Sequence, residues 1–434
     1  MSEQLTKIAS IIDEISMGPF GSDIKVDNFI SEGVPVLNGS NLTGIKLIEN
    51  GFKYVSPEKA KTFKKAIAKR GDIVITHRGT LGQISFIPDN SKFDEYVISQ
   101  SQFRVALNRK MVDPAYFVYY FHTSEGQKRL LANKCHVGVP ALAQATTNFR
   151  LIEIPLPNLN TQQKIAYILS TLDSKIAHNN RINAELEAMA KTVYDYWFVQ
   201  FEFPFDFAQG KPSAEGKPYK SNGGKMVWSE ELKREVPEGW EMKTLKEIEN
   251  DIITGKTPPT DNSNFYNGDV PFITIGDIRG NMHVVKTALT LSKLGGDYQK
   301  NKYIPKGSLC VTCIASPGLI AFATEPSQTN QQINSIVIHS EHNKSYLYYA
   351  LNDYFKFANG AKIGNTFANM NKGDFESIEM IYPPVELLNK FEEFSAPIND
   401  KILSCLIENQ QLSSLRDWLL PMLMNGQVSV GDEI

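Results

Sequence analysis

Hydrophobic and polar positions follow a short-period pattern along most of the chain. The segment "RGDIVITHRGTLG" (70–82) combines a basic turn, a short apolar and β-branched run and a polar loop with two glycines. This pattern predicts a strand followed by a surface loop. Fewer segments have helical periodicity, such as "DPAYFVYYFHTSEGQKRLL" (113–131). The pattern therefore predicts mixed α/β globules.

The pattern occurs twice in the same order. "KGSLCVTCIASPG" (306–318) matches 70–82 at an offset of 236, and "DVPFITIGDI" (269–278) matches "GVPVLNGSNL" (33–42) at the same offset. Two later pairs match at offsets that fall to 226: 113–121 with 343–351, and 146–165 with 371–391. A repeat of this length predicts two copies of a domain. Because nearly every polar side chain differs between the copies, we expect their loops to bind different things.

A different pattern follows each globule. Apolar residues recur there in alternating steps of three and four, which predicts a long amphipathic helix with a coiled-coil seam. The predicted seam positions are Ile165, Leu169, Leu172, Ile176, Asn179, Asn183, Leu186, Val193 and Trp197 in the first helix, and Phe391, Ile398, Ile402, Asn409, Leu412, Leu419 and Leu423 in the second.

Asparagines interrupt both seams. Asn179 and Asn183 lie in the first seam, and Asn409 falls at the position equivalent to Asn183. A buried Asn in a seam costs stability but fixes the register of the helices, whereas a solvent-facing Asn would do neither. Both interpretations stay open. Pro397 either kinks the second helix or marks its N-terminus.

These patterns divide the chain into five segments. They are a first globule (1–158), a central helix (159–200), a connector rich in Gly, Pro, Lys and Ser (201–240), a second globule (241–384) and a C-terminal helix (385–434).

The aromatic stretch "VYDYWFVQFEF" (193–203) is expected to form an intramolecular core where helix meets globule, and the alternative is a patch that docks another protein.

Composition is typical of a globular protein, with 42% hydrophobic and 21% charged residues among 434. No apolar run approaches the roughly 18 residues of a membrane helix, and we expect a cytosolic protein. Net charge is only -3, but residues 1–158 hold 19 Lys and Arg against 15 Asp and Glu, while 385–434 hold 3 against 8. The first globule could therefore face phosphates, and the last segment is expected to face protein or water.

Motifs for catalysis and for metal binding are incomplete. "DPAY" at 113 and "YPPV" at 382 do not match an amino-methyltransferase loop, and "ENDIITGKT" (249–257) has Asn250 where a phosphate-binding loop needs glycine. The four cysteines are too scattered for a disulfide framework. Cys310 and Cys313 form only half of a zinc site and are expected to lie in a strand. We predict no catalytic residue and no metal site in this chain.

The order of these features resembles the specificity subunit of type I restriction-modification systems. The segments that carry the resemblance cover nearly the whole chain: 15–42, "RGDIVITHRGTLGQ" (70–83), "IEIPLPNLNTQQKIAYILSTLDSKI" (152–176), "VYDYWFVQFEFPF" (193–205) and "VPEGW" (236–240).

The resemblance implies a fold and a set of partners. In that family each globule is a target recognition domain, and the two helices pack as an antiparallel coiled coil with pseudo-twofold symmetry. The expected partners are double-stranded DNA, two copies of a DNA methyltransferase subunit and the restriction or translocase subunits. S-adenosylmethionine, ATP and Mg would be bound by those partners, with no cofactor in this chain.

Side chains that could contact DNA follow the predicted strands. Arg, Asn, Gln, Ser and Thr can hydrogen-bond base edges, and Arg78 is the best candidate for a guanine contact. The candidates in the first globule are Asn38, Ser40, Asn41, His77, Arg78, Thr80, Gln100, Gln102 and Arg104. Alternatively the asparagines shape turns, and Arg78 pairs with a carboxylate or a phosphate.

The second globule offers a different set. Its candidates are Lys256, Thr274, Asp277, Ser316, Asn330, Gln331, Gln332, Asn334 and Lys362, with Ala315 beside Ser316. The loop equivalent to Arg78 has no arginine. Because Asn and Gln favour adenine, we expect this half of the target to depend less on guanine.

Three functions are compatible with these features. A DNA-recognition and assembly subunit without its own catalysis accounts for most of them. A self-contained restriction or modification enzyme would need the catalytic motifs that are incomplete here. A coiled-coil adaptor that does not bind DNA would leave the duplicated polar loops unexplained.

Overall fold

The computed structural model describes residues 5–19, 23–135, 139–213, 215–360 and 369–431. The chain divides into two units. Unit 1 comprises Met1–Lys175 and Leu412–Ile434, and unit 2 comprises Ile176–Gln411. Each unit is a mixed α/β globule packed on parts of two long helices.

The strands of unit 1 are β1 (Leu5–Lys7), β2 (Ile12–Met17), β3 (Val34–Val36), β4 (Lys53–Val55), β5 (Ile67–Lys69), β6 (Ile73–Thr76), β7 (Ile84–Phe86), β8 (Glu95–Val97), β9 (Gln102–Leu107), β10 (Lys134–Cys135), β11 (Ala141–Leu142) and β12 (Glu153–Pro155). Its helices are α1 (Pro57–Lys61), α2 (Pro114–Phe121), α3 (Ser124–Leu130) and α4 (Ala145–Leu151), and α5 (Leu159–Tyr194) begins in it.

The strands of unit 2 are β13 (Pro204–Asp206), β14 (Lys211–Pro212), β15 (Lys217–Pro218), β16 (Met226–Ser229), β17 (Arg234–Pro237), β18 (Glu241–Thr244), β19 (Ile252–Thr254), β20 (Tyr266–Ile273), β21 (His283–Val284), β22 (Leu289–Leu291), β23 (Leu309–Thr312), β24 (Ile320–Ala323), β25 (Gln328–Thr329), β26 (Ile333–Ile336) and β27 (Glu379–Tyr382). Its helices are α6 (Leu245–Ile248), α7 (Ile275–Ile278), α8 (Lys293–Tyr298), α9 (Lys344–Gly360), α10 (Lys372–Glu376) and the first part of α11 (Val385–Met424).

The strand order confirms the duplication. In unit 1 one sheet has the order β2-β9-β6-β7 and another has the order β4-β3-β8-β5. In unit 2 the corresponding orders are β19-β26-β23-β24-β21 and β22-β20-β25. The pairs β3 with β8 and β20 with β25 are both parallel. Antiparallel pairs close each globule, β1 with β12 and β18 with β27.

Buried strands account for the apolar runs in the sequence. Strands β6 and β23 are buried at all four positions, because each lies inside its sheet with neighbours on both sides. Both thiols of the Cys-x-x-Cys segment are buried, and burial raises the pKa of Cys310 to about 12 and of Cys313 to about 11. Among the described residues, no group of three or more His, Cys, Asp and Glu side chains is placed to hold a metal ion.

The two long helices run antiparallel within each unit. In unit 2 Asn179 contacts Asn409 and Asn183 contacts Ile402, so the chain direction of one helix is opposite to that of the other. Every predicted seam position is buried or half-buried. The asparagines are buried too, which excludes the solvent-facing alternative. Helix α11 begins at Val385, so Pro397 lies inside it and does not mark its N-terminus.

Residues 201–240 contain short strands, namely the β14-β13-β15 sheet and the β16-β17 hairpin. The aromatic stretch before them forms an intramolecular core, as predicted: Tyr194, Phe198, Phe201 and Phe203 are buried in the main hydrophobic cluster of unit 2. No helix in the described part of the chain is long and apolar enough to cross a membrane.

Candidate nucleic-acid interface

Loops from several strands meet at one edge of the β2-β9-β6-β7 sheet. The backbone N–H of His77 donates to Ser101 O at 2.9 Å, and that of Gly79 donates to Pro140 O at 2.9 Å. The turn that begins at Asn38 also adjoins this edge, since a Cβ atom on Gly39 would lie 3.0 Å from Gln83 Oε1. We call segments 38–43, 77–83, 99–102 and 139–143 the first loop cluster.

Unit 2 forms an equivalent cluster on its five-stranded sheet. The N–H of Cys313 donates to Gln332 O at 2.8 Å, and that of Lys256 donates to Thr329 O at 2.9 Å. The N–H of Asn330 donates to Ile273 O at 3.2 Å. These bonds bring together segments 254–258, 274–281, 313–319 and 329–332, which we call the second loop cluster.

The central loops have the same backbone conformation in both clusters. Gly79 and Gly82 have φ of 90° and 88°, and the equivalent Ala315 and Gly318 have φ of 64° and 90°. An alanine rarely adopts a left-handed conformation, because its Cβ crowds the carbonyl oxygen. The second cluster keeps this loop shape although the glycine has been replaced.

Four predicted DNA-binding residues are corrected by the structure, because their side chains are buried and bonded within the fold. Asn41 is 0% exposed and donates to Ile48 O and Asn50 O. Gln102 is 0% exposed and accepts from Ser99 N at 2.9 Å. These two amides stabilise the loops that carry other candidates.

Arg104 and Asn334 are the other two corrections. Arg104 is buried, with Nη2 2.6 Å from Glu14 Oε2 and Nη1 3.1 Å from Asp72 Oδ2. The Arg104 hydrogen bond lowers the pKa of Glu14, whereas burial raises the pKa of Asp72. Asn334 accepts from Thr254 Oγ1 at 2.7 Å. Polar side chains inside a strand look like candidates in sequence, but here they satisfy buried partners.

Two turns are built by the same capping arrangement. In the first cluster Asn38 Oδ1 accepts from Ser40 N, and Asn41 Oδ1 accepts from Asn38 N. In the second cluster Asp277 Oδ2 accepts from both N and Oγ1 of Thr274, at 2.8 and 2.7 Å. These are the contacts that the turn-shaping interpretation of Asn38 and Asn41 predicts. The bonds between Thr274 and Asp277 stabilise the equivalent turn in the second cluster.

The other first-cluster candidates reach solvent. Ser40, Arg78, Thr80 and Gln100 are exposed, and His77 is half-buried. In the described part of the chain Arg78 has no carboxylate partner, so its guanidinium is available to a ligand. Burial lowers the pKa of His77. Its neutral ring donates from Nε2 to Gln100 O at 3.2 Å and keeps Nδ1 as an acceptor.

In the second cluster Lys256 and Gln331 are exposed, while Ser316, Asn330 and Gln332 are half-buried. Thr257 Oγ1 donates to Gln331 Oε1 at 2.6 Å, and Asn330 Nδ2 donates to Gln332 Oε1 at 3.0 Å. The cluster therefore presents oriented amides. Lys362 lies outside the described residues.

Sequence reasoning missed Arg279. Its side chain is exposed, and its Nη2 lies 3.4 Å from Ser316 Oγ in the central loop. The signal was available, since Arg279 is the only arginine between 241 and 384. The match of this segment to the first copy ends at Ile278, one residue before Arg279.

Comparison with known proteins gives one family throughout. The family model for the type I restriction modification DNA specificity domain matches residues 24–188 and again 237–394. The specificity subunit of the HindI type I restriction enzyme of Haemophilus influenzae is 34% identical over 84% of this chain and 88% of its own length. The MjaIX specificity subunit of Methanocaldococcus jannaschii is 24% identical over 96% of this chain and 92% of its own.

The fold is shared with a solved structure. The S subunit of a type I restriction-modification system from M. genitalium aligns over 97% of this chain and 95% of its own with a TM-score of 0.59, at 15% identity. Three observations agree with each other: two matches of the family model, a relative that is 34% identical over most of the chain, and two globules whose sheets share corresponding strand orders. The chain therefore belongs to the type I restriction-modification specificity subunits.

Proposed function

We propose that this chain reads a two-part DNA sequence, one half with each loop cluster, and that it has no catalytic activity of its own. The observation that carries the proposal is the repetition of one loop framework with different exposed side chains: Arg78, Thr80 and Gln100 in the first cluster, Lys256 and Gln331 in the second. A common framework with different side chains suits a target whose two halves differ.

Recognition of bases in a DNA groove requires side-chain donors and acceptors that reach the base edges. Arg78 offers a planar fork that matches the O6 and N7 acceptors of guanine, and amides such as Gln100 and Gln331 match the edge of adenine. His77 adds a neutral acceptor at Nδ1, because burial keeps its pKa below the ordinary value. Phosphate contacts by exposed lysines such as Lys256 would position the duplex without specifying bases.

Assembly with other subunits is the second part of the proposal. In unit 1, Tyr167, Leu415 and Trp418 of the long helices are 61%, 44% and 55% exposed. Large exposed apolar side chains commonly belong to protein interfaces. We assign these helices to the docking of two methyltransferase subunits, which would bind S-adenosylmethionine. The restriction or translocase subunits would bind ATP and Mg.

Mapping of methylated adenines tests the proposal. Cells that carry a cognate methyltransferase are compared with and without this chain. We expect a two-part motif that disappears with the gene, and an Arg78→Ala variant whose motif no longer requires one guanine in one half. Arg70→Ala is the matched control, because Arg70 precedes β6 whereas Arg78 follows it.

Two results would contradict the proposal. Methylation or cleavage by the purified chain alone would identify a self-contained enzyme. Failure of the chain to bind any DNA in the presence of its methyltransferase would favour a coiled-coil adaptor, which the exposed apolar residues on the helices would also suit.

A further inference from the structure

The second loop cluster receives its arginine from a different loop than the first. Arg78 lies in the central loop after β6, and the equivalent position in the loop after β23 is Ile314. The two positions are equivalent in structure as well, because Arg78 forms an isolated backbone bridge with Ala141 and Ile314 forms one with Asn369. A half-buried aliphatic side chain therefore replaces the guanidinium.

Arg279 lies in the turn next to this central loop. The residue equivalent to it in the first globule is Thr43, which is exposed. Arg279 follows α7, and its Nη2 is 3.4 Å from Ser316 Oγ, one residue beyond Ala315. Each cluster thus presents an exposed arginine at its central loop, but the two arginines come from neighbouring segments of the framework.

The guanidinium of Arg279 is available to a ligand. Asp277, two residues before it, uses both of its oxygens, since Oδ2 accepts from Thr274 and Oδ1 accepts from Ala288 N at 2.8 Å. In the regions that the structure describes, Arg279 forms no salt bridge. Within the described residues, one of its five N–H donors makes a long contact, with Ser316.

We infer that Arg279 determines specificity in the second half of the target by donating to a guanine in the major groove. This rests on the proposed function and makes it more specific. The sequence alone predicts less dependence on guanine in that half, because its central loop has no arginine and Asn and Gln favour adenine. Arg279 supplies the guanidinium that the central loop lacks. Because Arg279 comes from another loop, we expect it to contact a guanine at a different position in the half-site from the guanine that Arg78 contacts.

The test uses the full chain with its methyltransferase and duplexes that carry the mapped target. Each guanine in the second half is replaced in turn by 7-deazaguanine, which lacks the N7 acceptor. We expect one replacement to weaken binding of the unaltered complex about threefold to tenfold, because O6 still accepts and only one of the two hydrogen bonds of the bidentate contact is lost. The same replacement should change binding of the Arg279→Ala complex little, and that complex should methylate DNA with any base at this position.

Two matched variants separate base reading from other roles. Arg279→Lys keeps the charge but loses the planar fork, so it should also relax the demand for guanine. Lys306→Ala removes an exposed cation before β23, at the end opposite to the central loop, and should leave the motif unchanged.

Several outcomes would overturn the inference. A second half-site without guanine, or an unchanged motif in Arg279→Ala, would do so. Equal weakening on all sequences, with a smaller salt dependence and full rescue by lysine, would assign Arg279 to a phosphate instead. In each of these cases the unaltered chain still directs methylation to a two-part motif. Absence of any such motif would refute the proposed function itself, and this inference with it.

Discussion

Asn179 donates a hydrogen bond from Nδ2 to Oδ1 of Asn409 at 3.0 Å across the two antiparallel helices. Asn179 Nδ2 also lies 2.7 Å from Glu408 Oε2, and Asn409 Nδ2 donates to Asn180 Oδ1 at 2.8 Å. A shift of either helix by one turn would leave these buried amides unpaired, which makes the pair a determinant of register.

The neighbouring asparagine provides a matched contrast. Asn183 is buried, but its Oδ1 has no hydrogen-bond partner within the described residues. We expect Asn183→Leu to raise the urea midpoint of the full chain, because the new side chain is apolar and of similar size. The amide that it replaces has an unsatisfied oxygen and makes a long Nδ2 contact of 3.5 Å with Ile402 O. We expect Asn179→Leu to lower it by the equivalent of about 1 to 3 kcal/mol, because Asn409 loses a buried partner. Equal effects of the two substitutions would contradict the role of the pair.

A partly buried charge network in unit 1 predicts a second pair of variants. Asp173 accepts from Arg416 Nη1 at 2.7 Å and from the Tyr119 hydroxyl at 2.5 Å, and burial with this contact raises the pKa of Tyr119. Asp173→Asn should destabilise unit 1 by about 1 to 3 kcal/mol, since it leaves the partly buried Arg416 without its ion pair. Thermal unfolding of the full chain measures the change.

The second repeat supplies the compensating change. The positions equivalent to Asp173 and Arg416 are Asn399 and Ala190, which are both buried. The double variant Asp173→Asn with Arg416→Ala should therefore recover part of the lost stability. If the double variant is as unstable as the sum of the two single variants, the charges are not coupled.

The central loops predict that exchanging glycine and alanine has opposite effects on stability in the two clusters. Gly79→Ala should lower the free energy of unfolding by up to about 1 kcal/mol, because strain at positive φ exceeds the gain from a stiffer unfolded chain. A Cβ at Gly79 meets nothing within 4 Å, so the effect would be conformational and not steric. Ala315→Gly should be neutral or stabilising for the same reason. Urea midpoints of the two variants test the signs.

Acid sensitivity is predicted to depend on His283. Burial lowers the pKa of His283 from 6.5 to about 4, and its Nε2 has no hydrogen-bond partner in the described regions. As pH falls below about 6.5, the unfolded chain binds a proton that the folded chain does not, so stability decreases until the pH nears 4. The full effect is about 3 kcal/mol.

Substitution isolates this contribution. His283→Asn should make the unfolding temperature of the full chain less dependent on pH between 6.5 and 4, whereas His178→Asn, at an exposed helical position, should leave the dependence unchanged. An identical pH profile for His283→Asn and the unaltered chain would show that His283 does not cause the loss.

Helix length is predicted to set the gap between the two half-sites. One heptad inserted between Lys175 and Asn179, with another between Asn409 and Ser413, keeps the seam in phase and preserves the asparagine pair. Seven residues add about 10 Å to a helix, so methylation mapping should show a gap widened by at most about three base pairs, with both halves unchanged. An unchanged gap would mean that the helices do not set it.

The sequence by itself determined the duplication, the helices and their seam, because hydrophobic periodicity is local and the same apolar pattern recurs after each globule. It also determined the polar loops that end β6 and β23. It could not tell which polar side chains leave the loops, because burial depends on neighbours far along the chain. Gln102 and Arg104 looked like Gln100, but only Gln100 is exposed. The tertiary structure decided this, and it also placed Arg279 beside Ser316, 37 residues away, where no local pattern could have joined them.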